Sequence, residues 1–462
     1  MGVIPESDIP LVIPTQGYTP NCWENRSVIF FANLLSLFFG NRGGAKLLED
    51  EISCVDSYGG RLAPVLGLIF GGGENVLVLE RKPDPALTDF FRSIGLKLPR
   101  LEILPRNAFV SLGDLLSRGQ AAGHPLLDRL MIERAEILDG FVTDETIALL
   151  AATLGKRTLS SLSGSHRGNN KLLLHEHLES IGLPVFPTRL ANNTGEVAAA
   201  LDEFRNEGRR HAVAKAQIGA SGIGLVRLAT DEHPGELPGA FFHEGPCMVQ
   251  AWLEAGSDGI REILSPSVQL FLNDDSAYLY DVTEQILSAH ESVHEGNESP
   301  PTYLDDFPGL LRELFRQAGE AARWLHRQGY RGAASVDFLL TLLDDGSFVA
   351  YVCEINARVT GATYPSVLAR HFRPRGAWRM RNLRLTTPLP GALLLEKLQA
   401  HAELFTKDNG RGILPVNFNL EPDGLVRKGQ FLAVAEDVPS CRELLEIARH
   451  DLPVAWDYTR DR

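Results

Sequence analysis

Two carboxylates and an amide at hairpin spacing carry the clearest chemical signal in this sequence. They lie in YRGAASVDFLLTLLDDGSFVAYVCEINARVTGATYP, residues 330–365. Apolar runs flank Asp344, Asp345, Gly346 and Ser347, and Asp-Gly between such runs predicts a β-hairpin. With Asp345 and Gly346 as a two-residue turn, Asp344 pairs with Ser347, and counting outward pairs Asp337 with Glu354. Side chains alternate along a strand, so Asn356 shares the face of Glu354. Two carboxylates and an amide oxygen suit a hard divalent cation, Mg²⁺ or in its place Mn²⁺, with substrate phosphates and water completing the shell. Arg358 extends the face with a guanidinium able to fork onto phosphate or carboxylate oxygens. The alternative is the solvated acidic face of a two-stranded ribbon. Other parts of the chain decide between the two.

A second signal is AVAKAQIGASGIGLVRL, residues 212–228. Lys215 stands in an apolar strand, and a lysine buried without an anion is costly. Gly219, Ser221, Gly222 and Gly224 follow in a loop whose backbone N–H groups can close around phosphate oxygens. Together they suggest a lid over a nucleotide, set against an ordinary hairpin whose lysine reaches solvent. Lys171 opens a helix, where its charge opposes the macrodipole; an anion within its reach would explain the placement. The segment MVQAWLE, residues 248–254, reads as extended chain between subdomains, with backbone and apolar side chains suited to a flat heterocycle. Gln250 and Glu254 are candidate acceptors there for an amino group or ribose hydroxyls.

The elements that must position these groups follow from alternating patterns. Residues 27–33, 65–70, 75–80 and 100–104 read as strands and 84–95 as a helix, so the first part of the chain is expected to be a mostly parallel α/β domain. The glycines 71–73 lack a strand–GxGxxG–helix context and read as a turn. Helical spacing marks residues 171–181, 196–207 and 310–328. Further strands are expected at 246–253, 268–272 and 277–281. Residues 289–303, AHESVHEGNESPPTY, read as a polar loop bordering the site, and Glu284 shortly before it is assigned to substrate contact.

With 462 residues the chain needs more than one core. Its net charge of −14 leaves no basic footprint and argues against nucleic acid as a partner. No apolar run reaches the roughly 20 residues that span a bilayer, and the opening lacks the pattern of a secretory signal. Five scattered cysteines without a CxxC point to a reducing, cytoplasmic setting and no structural zinc.

In this order the pieces resemble the ATP-grasp superfamily. The matching elements are the helix-opening lysine of NNKLLLHEHLESIGLPVFPT, the lysine and glycine loop of AVAKAQIGASGIG, the segment MVQAWLE, and SVDF followed by CEINAR, over residues 164–371. The resemblance implies ATP held between two α+β subdomains, with Lys171 and Lys215 on its phosphates and Ser221 and Gly222 in the closing loop. Gln250, Trp252, Leu253 and Glu254 would meet adenine and ribose, and Asp337, Glu354 and Asn356 would hold Mg²⁺. Arg358 would contact phosphate or the reacting carboxylate. The chain departs from relatives in places. Gln250 stands where glutamate is frequent, and Ser335 where D-alanine ligases carry an arginine. Val359, Thr360, Gly361 and Ala362 replace the acidic, His-Pro-containing continuation of biotin carboxylase.

The flanking segments FFANLLSLFFGNRGG, VTEQIL and GILPVNFNLEPDG resemble the peptide ligases of pheganomycin biosynthesis and their relatives. That resemblance implies a pre-ATP-grasp α/β domain at 1–163, a two-lobed ATP-grasp core at 164–375 with its lid at about 183–252, and a small αβ domain at 376–462. It also implies an ATP-dependent carboxylate–amine ligase, forming a peptide or amide bond through an acyl phosphate, with Arg358 and Lys215 in catalytic roles. Its partners would be small carboxylates and amines, amino acids or short peptides, in natural-product biosynthesis; a homodimer is left open. Two rivals use the same nucleotide clamp, a phosphotransferase with a hydroxyl acceptor and a regulatory protein that binds ATP without turnover.

Overall fold

The computed structural model describes residues 9–51, 57–220, 222–287, 294–401 and 403–455. The first part is a five-stranded parallel sheet in the order Arg100–Ile103, Val76–Leu79, Val28–Phe31, Ile137–Gly140, Arg157–Thr158. Its central strands read VIFF and VLVL because both faces are covered, as in parallel sheets generally. Ile29, Phe31, Val76 and Val78 pack with residues of the helices Arg106–Ser117 and Glu145–Leu154, while Phe30 and Leu77 face the opposite core. Residues 65–70, expected as a strand, instead contain the helical turn Leu66–Ile69. A short apolar run has no period that separates a buried strand from a buried helix. Here Gly67 lets the turn lie so close to the Lys97 carbonyl that an added Cβ would stand 2.4 Å from its oxygen.

A four-stranded antiparallel sheet follows, in the order Thr188–Ala191, Cys247–Ala251, His211–Ala220, Ile223–Ala229. The helix Thr194–Asn206 covers it with Val197, Leu201 and Phe204. The largest sheet has eleven strands, with Gly332–Leu343 near one edge and Gly412–Leu420 at the other. The helix Leu310–Arg327 lays Leu310, Leu314, Ala318, Ala322 and Leu325 on it, and the helix Lys171–Ser180 adds Leu174 and Leu178.

Two expectations change in this sheet. Within the expected polar loop, His294–Ser299 is a strand, paired on one side with Ala277–Leu287 and on the other with Ala377–Leu389; residues 288–293 lie outside the described residues. The sheet therefore runs without a break through the expected boundary at 376. The strand is polar yet buried because arginines meet its acids: Arg442 lies 2.7 Å from Glu298, Arg379 also pairs with Glu298, and Arg381 lies 3.3 Å from Glu295.

The acidic hairpin has the expected pairing of Asp337 with Glu354 by an unexpected route. Leu342 pairs with Phe348, and the Leu343 N–H donates to the Ser347 carbonyl at 2.9 Å, so Asp344, Asp345 and Gly346 form a loop one residue longer than a two-residue turn. Gly346 adopts a φ of 84°, the left-handed position that closes such a loop. A bulge between Asp337 and Phe338 then shifts the register back.

Candidate active site

Asp337 lies on a strand flanked on both sides, opposite Ser267 on one neighbour and Glu354 on the other. Ser267 and Ser335 donate hydroxyl hydrogen bonds to its Oδ1, at 2.6 and 3.1 Å. The Asn356 amide nitrogen reaches its Oδ2 at 2.8 Å and Glu354 Oε1 at 3.4 Å, so one side-chain amide bridges both carboxylates. Burial, and then the charge of Glu354, outweigh the serine hydrogen bonds and push Asp337 up to about 6. For Glu354 burial also acts upward, but the charges of Lys171 and Arg358 reverse it and hold the carboxyl below its ordinary value.

Two carboxylates set this close call for positive charge between them. The residues fit a divalent ion: two carboxylates from adjacent strands, and an amide that presents oxygen in place of nitrogen by a half-turn. No cluster of three or more His, Cys, Asp or Glu side chains suited to a metal occurs among the described residues; Asn356 would offer a third protein oxygen.

Lys171 stands at the first position of its helix, which the Asn170 side chain caps by accepting from Leu173 N at 3.0 Å. The same Asn170 donates to Gln217 Oε1 at 2.8 Å, and Gln217 donates on to the Pro246 carbonyl at 2.9 Å. This relay ties the helix to the glycine hairpin and to the start of the strand Cys247–Ala251. Lys171 Nζ lies 2.9 Å from Glu354 and 3.4 Å from the Gly219 carbonyl, so it joins the acidic hairpin to the glycine hairpin. Lys215 pairs across the sheet with Met248 and lies 5.3 Å from the centre of the Phe186 ring. Burial lowers its pKa, opposed by Cys353 and Glu354 and assisted by the charge of Lys171. Such a lysine is most readily charged with an anion beside it. The two lysines, Phe186, Met248, Gln250 and Cys353 line one cleft.

Gly222 and Gly224 have φ of 80° and 82°, and a Cβ on Gly219 would stand 2.5 Å from the Ile223 carbonyl oxygen, so the loop is closed to larger residues. Ser221 lies outside the described residues. Gln250 is buried in the strand Cys247–Ala251 and donates to Thr188 Oγ1 at 2.9 Å. Trp252 and Leu253 are half-buried, with the Arg227 guanidinium 4.9 Å from the Trp252 ring centre. Glu254 is taken up by Arg210 and Arg227, each at 3.0 Å, and by His211 at 3.3 Å. Glu284 is engaged as well, accepting from Ser265 N at 2.8 Å and from the Tyr303 hydroxyl. Burial raises it to about 7, against both hydrogen bonds.

Arg358 donates to Asn169 Oδ1 at 2.7 Å, and Asn169 also bonds the N–H and C=O of Ala357, each at 3.2 Å. Asn169 therefore fixes both the backbone and the guanidinium. Sequence reasoning missed this role, along with those of Asn170, Ser267 and Gln217. The doublet before Lys171 was the available signal.

No protein-family model matches the chain, and no curated protein sequence does. Solved structures do. Biotin carboxylase from Campylobacter jejuni, in a complex with β,γ-ATP, is 13% identical with a TM-score of 0.56, over 93% of this chain and 92% of that one. L-amino acid ligase from Bacillus licheniformis is 12% identical with a TM-score of 0.52, over 94% of this chain and 99% of that one. N5-carboxyaminoimidazole synthase from Aspergillus clavatus, in complex with ADP and 5-aminoimidazole ribonucleotide, is 14% identical with a TM-score of 0.50, over 92% and 99%. These likenesses extend over nearly the full length of the chain, and its fold is the ATP-grasp fold.

Proposed function

We propose that the chain is an ATP-dependent carboxylate–amine ligase, forming a peptide or amide bond between amino acids or short peptides in natural-product biosynthesis. The observation that carries this reading is the convergence of Lys171, Lys215 and Arg358 on two half-buried carboxylates beside a glycine hairpin. Similarity to an L-amino acid ligase of the same fold supports the choice of bond. The flanking motifs shared with peptide ligases support the choice of substrates.

In the reaction, a substrate carboxylate oxygen attacks the γ-phosphorus, the bond to the β,γ-bridging oxygen breaks, and ADP leaves. An amine then attacks the acyl carbon, the carbon–oxygen bond to phosphate breaks, and the proton lost from nitrogen departs with phosphate. Asp337, Glu354 and Asn356 would hold Mg²⁺, which supplies charge neutralisation during phosphoryl transfer. Lys171 exchanges Glu354 for phosphate oxygens when nucleotide enters, and Lys215 gains the anion its burial calls for. Arg358, oriented by Asn169, steadies the acyl oxyanion. The glycine hairpin closes over the acyl phosphate and excludes water.

The test is phosphate release from Mg-ATP across a matrix of amino acids, short peptides and other carboxylates, with mass spectrometry of positive wells. Turnover that needs both a carboxylate and an amine, with an amide product and ADP, is the expected outcome. A phosphorylated hydroxyl as product would overturn it in favour of a phosphotransferase.

A further inference from the structure

The turn 57–61, SYGGR, is held from three directions. Asn419 Oδ1 accepts from Ser57 N at 3.0 Å, and Asn417 Nδ2 donates to the Ser57 carbonyl at 2.8 Å and to Asn419 at 3.0 Å. These are the two asparagines of the VNFNL motif, both buried at the far edge of the large sheet. Glu80, from the parallel sheet, accepts from the N–H groups of Tyr58 and Gly59. A Cβ on Gly59 would stand 2.6 Å from that of Leu79, and one on Gly60 would stand 2.3 Å from Asn417 Oδ1, so both glycines are required by close approach.

All this order fixes Arg61. Its guanidinium lies 4.2 Å from the Tyr58 ring centre, and its buried Nε has no hydrogen-bond partner among the described residues. The acid that holds the turn, Glu80, is occupied by backbone N–H groups and also lies 3.9 Å from Arg106. Arg61 is linked to the proposed active site through Tyr364. Its charge, with those of Tyr58, Arg358 and Glu80, acts on the hydroxyl of buried Tyr364, six residues beyond Arg358. The helical turn that follows it, Leu66–Ile69, contacts the helix Thr363–Phe372 that carries Tyr364. A half-buried guanidinium with an unmet buried donor calls for an anion, and one flat enough to meet its fork is a carboxylate.

We propose that Arg61 is the anchor for a free carboxylate on the amine co-substrate, so that the acceptor is an amino acid or a peptide with an open C-terminus. The proposal rests on the ligase reading, since Arg358 and the acidic hairpin are there given to the reacting carboxylate and the nucleotide.

The first test needs no turnover. In the full chain labelled with ¹⁵N, the Arg61 Nε–H resonance is assigned by its loss in Arg61→Lys and followed with Mg-ADP present. Alanylalanine, alanylglutamate and alanyllysine are added, each as the free acid and as the C-terminal amide. A shift with free acids alone is expected; no shift, or equal shifts with both forms, overturns the proposal. The second test is phosphate release with the same pairs as acceptors. Arg61→Gln should lower kcat/KM for free-acid acceptors by roughly ten- to a hundredfold, leave amide acceptors and the KM for ATP unchanged, and be partly rescued in Arg61→Lys. A loss that follows the carboxylate donor instead overturns the assignment to the acceptor. Failure of the ligase reading looks different: the resonance still shifts, and no amide product forms.

Discussion

Two carboxylates in the same sheet, buried Asp281 and half-buried Asp337, are treated in opposite ways. Asp281 accepts from Arg370 at 2.7 and 3.2 Å, from Ser299 at 2.7 Å, from Trp378 Nε1 at 3.1 Å and from the Ser366 hydroxyl. Burial pushes its pKa up, but the Arg370 charge and the hydrogen bonds more than reverse this, and the net direction is down. Asp337 has two serines, an amide and a second carboxylate, and its net direction is up. The first centre is complete and staples the helix Thr363–Phe372 to the large sheet. The second sets two carboxylates side by side with one of them raised, the arrangement to which the proposed function gives a metal.

The contrast can be broken most directly at Arg370. Arg370→Met leaves Asp281 buried and unpaired and should cost about 3–5 kcal/mol of stability, read as a fall in the denaturant midpoint. A loss well under 1 kcal/mol, on the order of a surface pair, would erase the distinction. Asp337→Asn acts the other way. It keeps an oxygen for Ser267 and Ser335 and removes a charge facing Glu354, so ligand-free stability at pH 7 should rise by on the order of 1–3 kcal/mol. Phosphate release by this variant should fall by roughly two orders of magnitude or more.

The pH dependence has a definite sign. Asp337 titrates at about 6 when folded against an ordinary 3.8, so between these values the folded state holds the extra proton. Its contribution to ligand-free stability therefore falls as pH rises from about 4 to about 6, and saturating Mg²⁺ should flatten that limb by replacing the proton. A limb in the denaturation midpoint unmoved by Mg²⁺ would count against the metal site. The finest comparison pairs two serines. Ser366→Ala should cost about 1–2 kcal/mol. At pH 6 Ser267→Ala should cost less, because Asp337 can respond by taking up a proton; equal costs would blur the two centres.

The acidic hairpin was legible because its chemistry is local and alternates with a period of two. Its pairing was reached by assuming a two-residue turn; the longer turn and the bulge at Asp337 shift the register in opposite senses and cancel. Lys171, Lys215 and Gln250 were legible through their unusual settings, a helix start and apolar strands. The strand His294–Ser299 was not, since its burial depends on arginines about 80 positions or more away, such as Arg379 and Arg381. Residues 65–70 failed for the opposite reason: they are apolar throughout and carry no period at all. Asn169 and Arg61 draw their meaning from long-range contacts alone.

The ties from Asn417 and Asn419 to Ser57 span 360 and 362 positions of sequence. A nascent chain leaving the ribosome can complete its parallel sheet, and later the segments that carry Lys171 and Lys215, well before those asparagines are translated. A polypeptide halted after the acidic hairpin would already carry Lys171 and Lys215 while the turn 57–61 still lacked the strand that braces it. Order at the turn 57–61 would thus arrive only once the strand Gly412–Leu420 has been made, well after Lys171, Lys215 and the acidic hairpin.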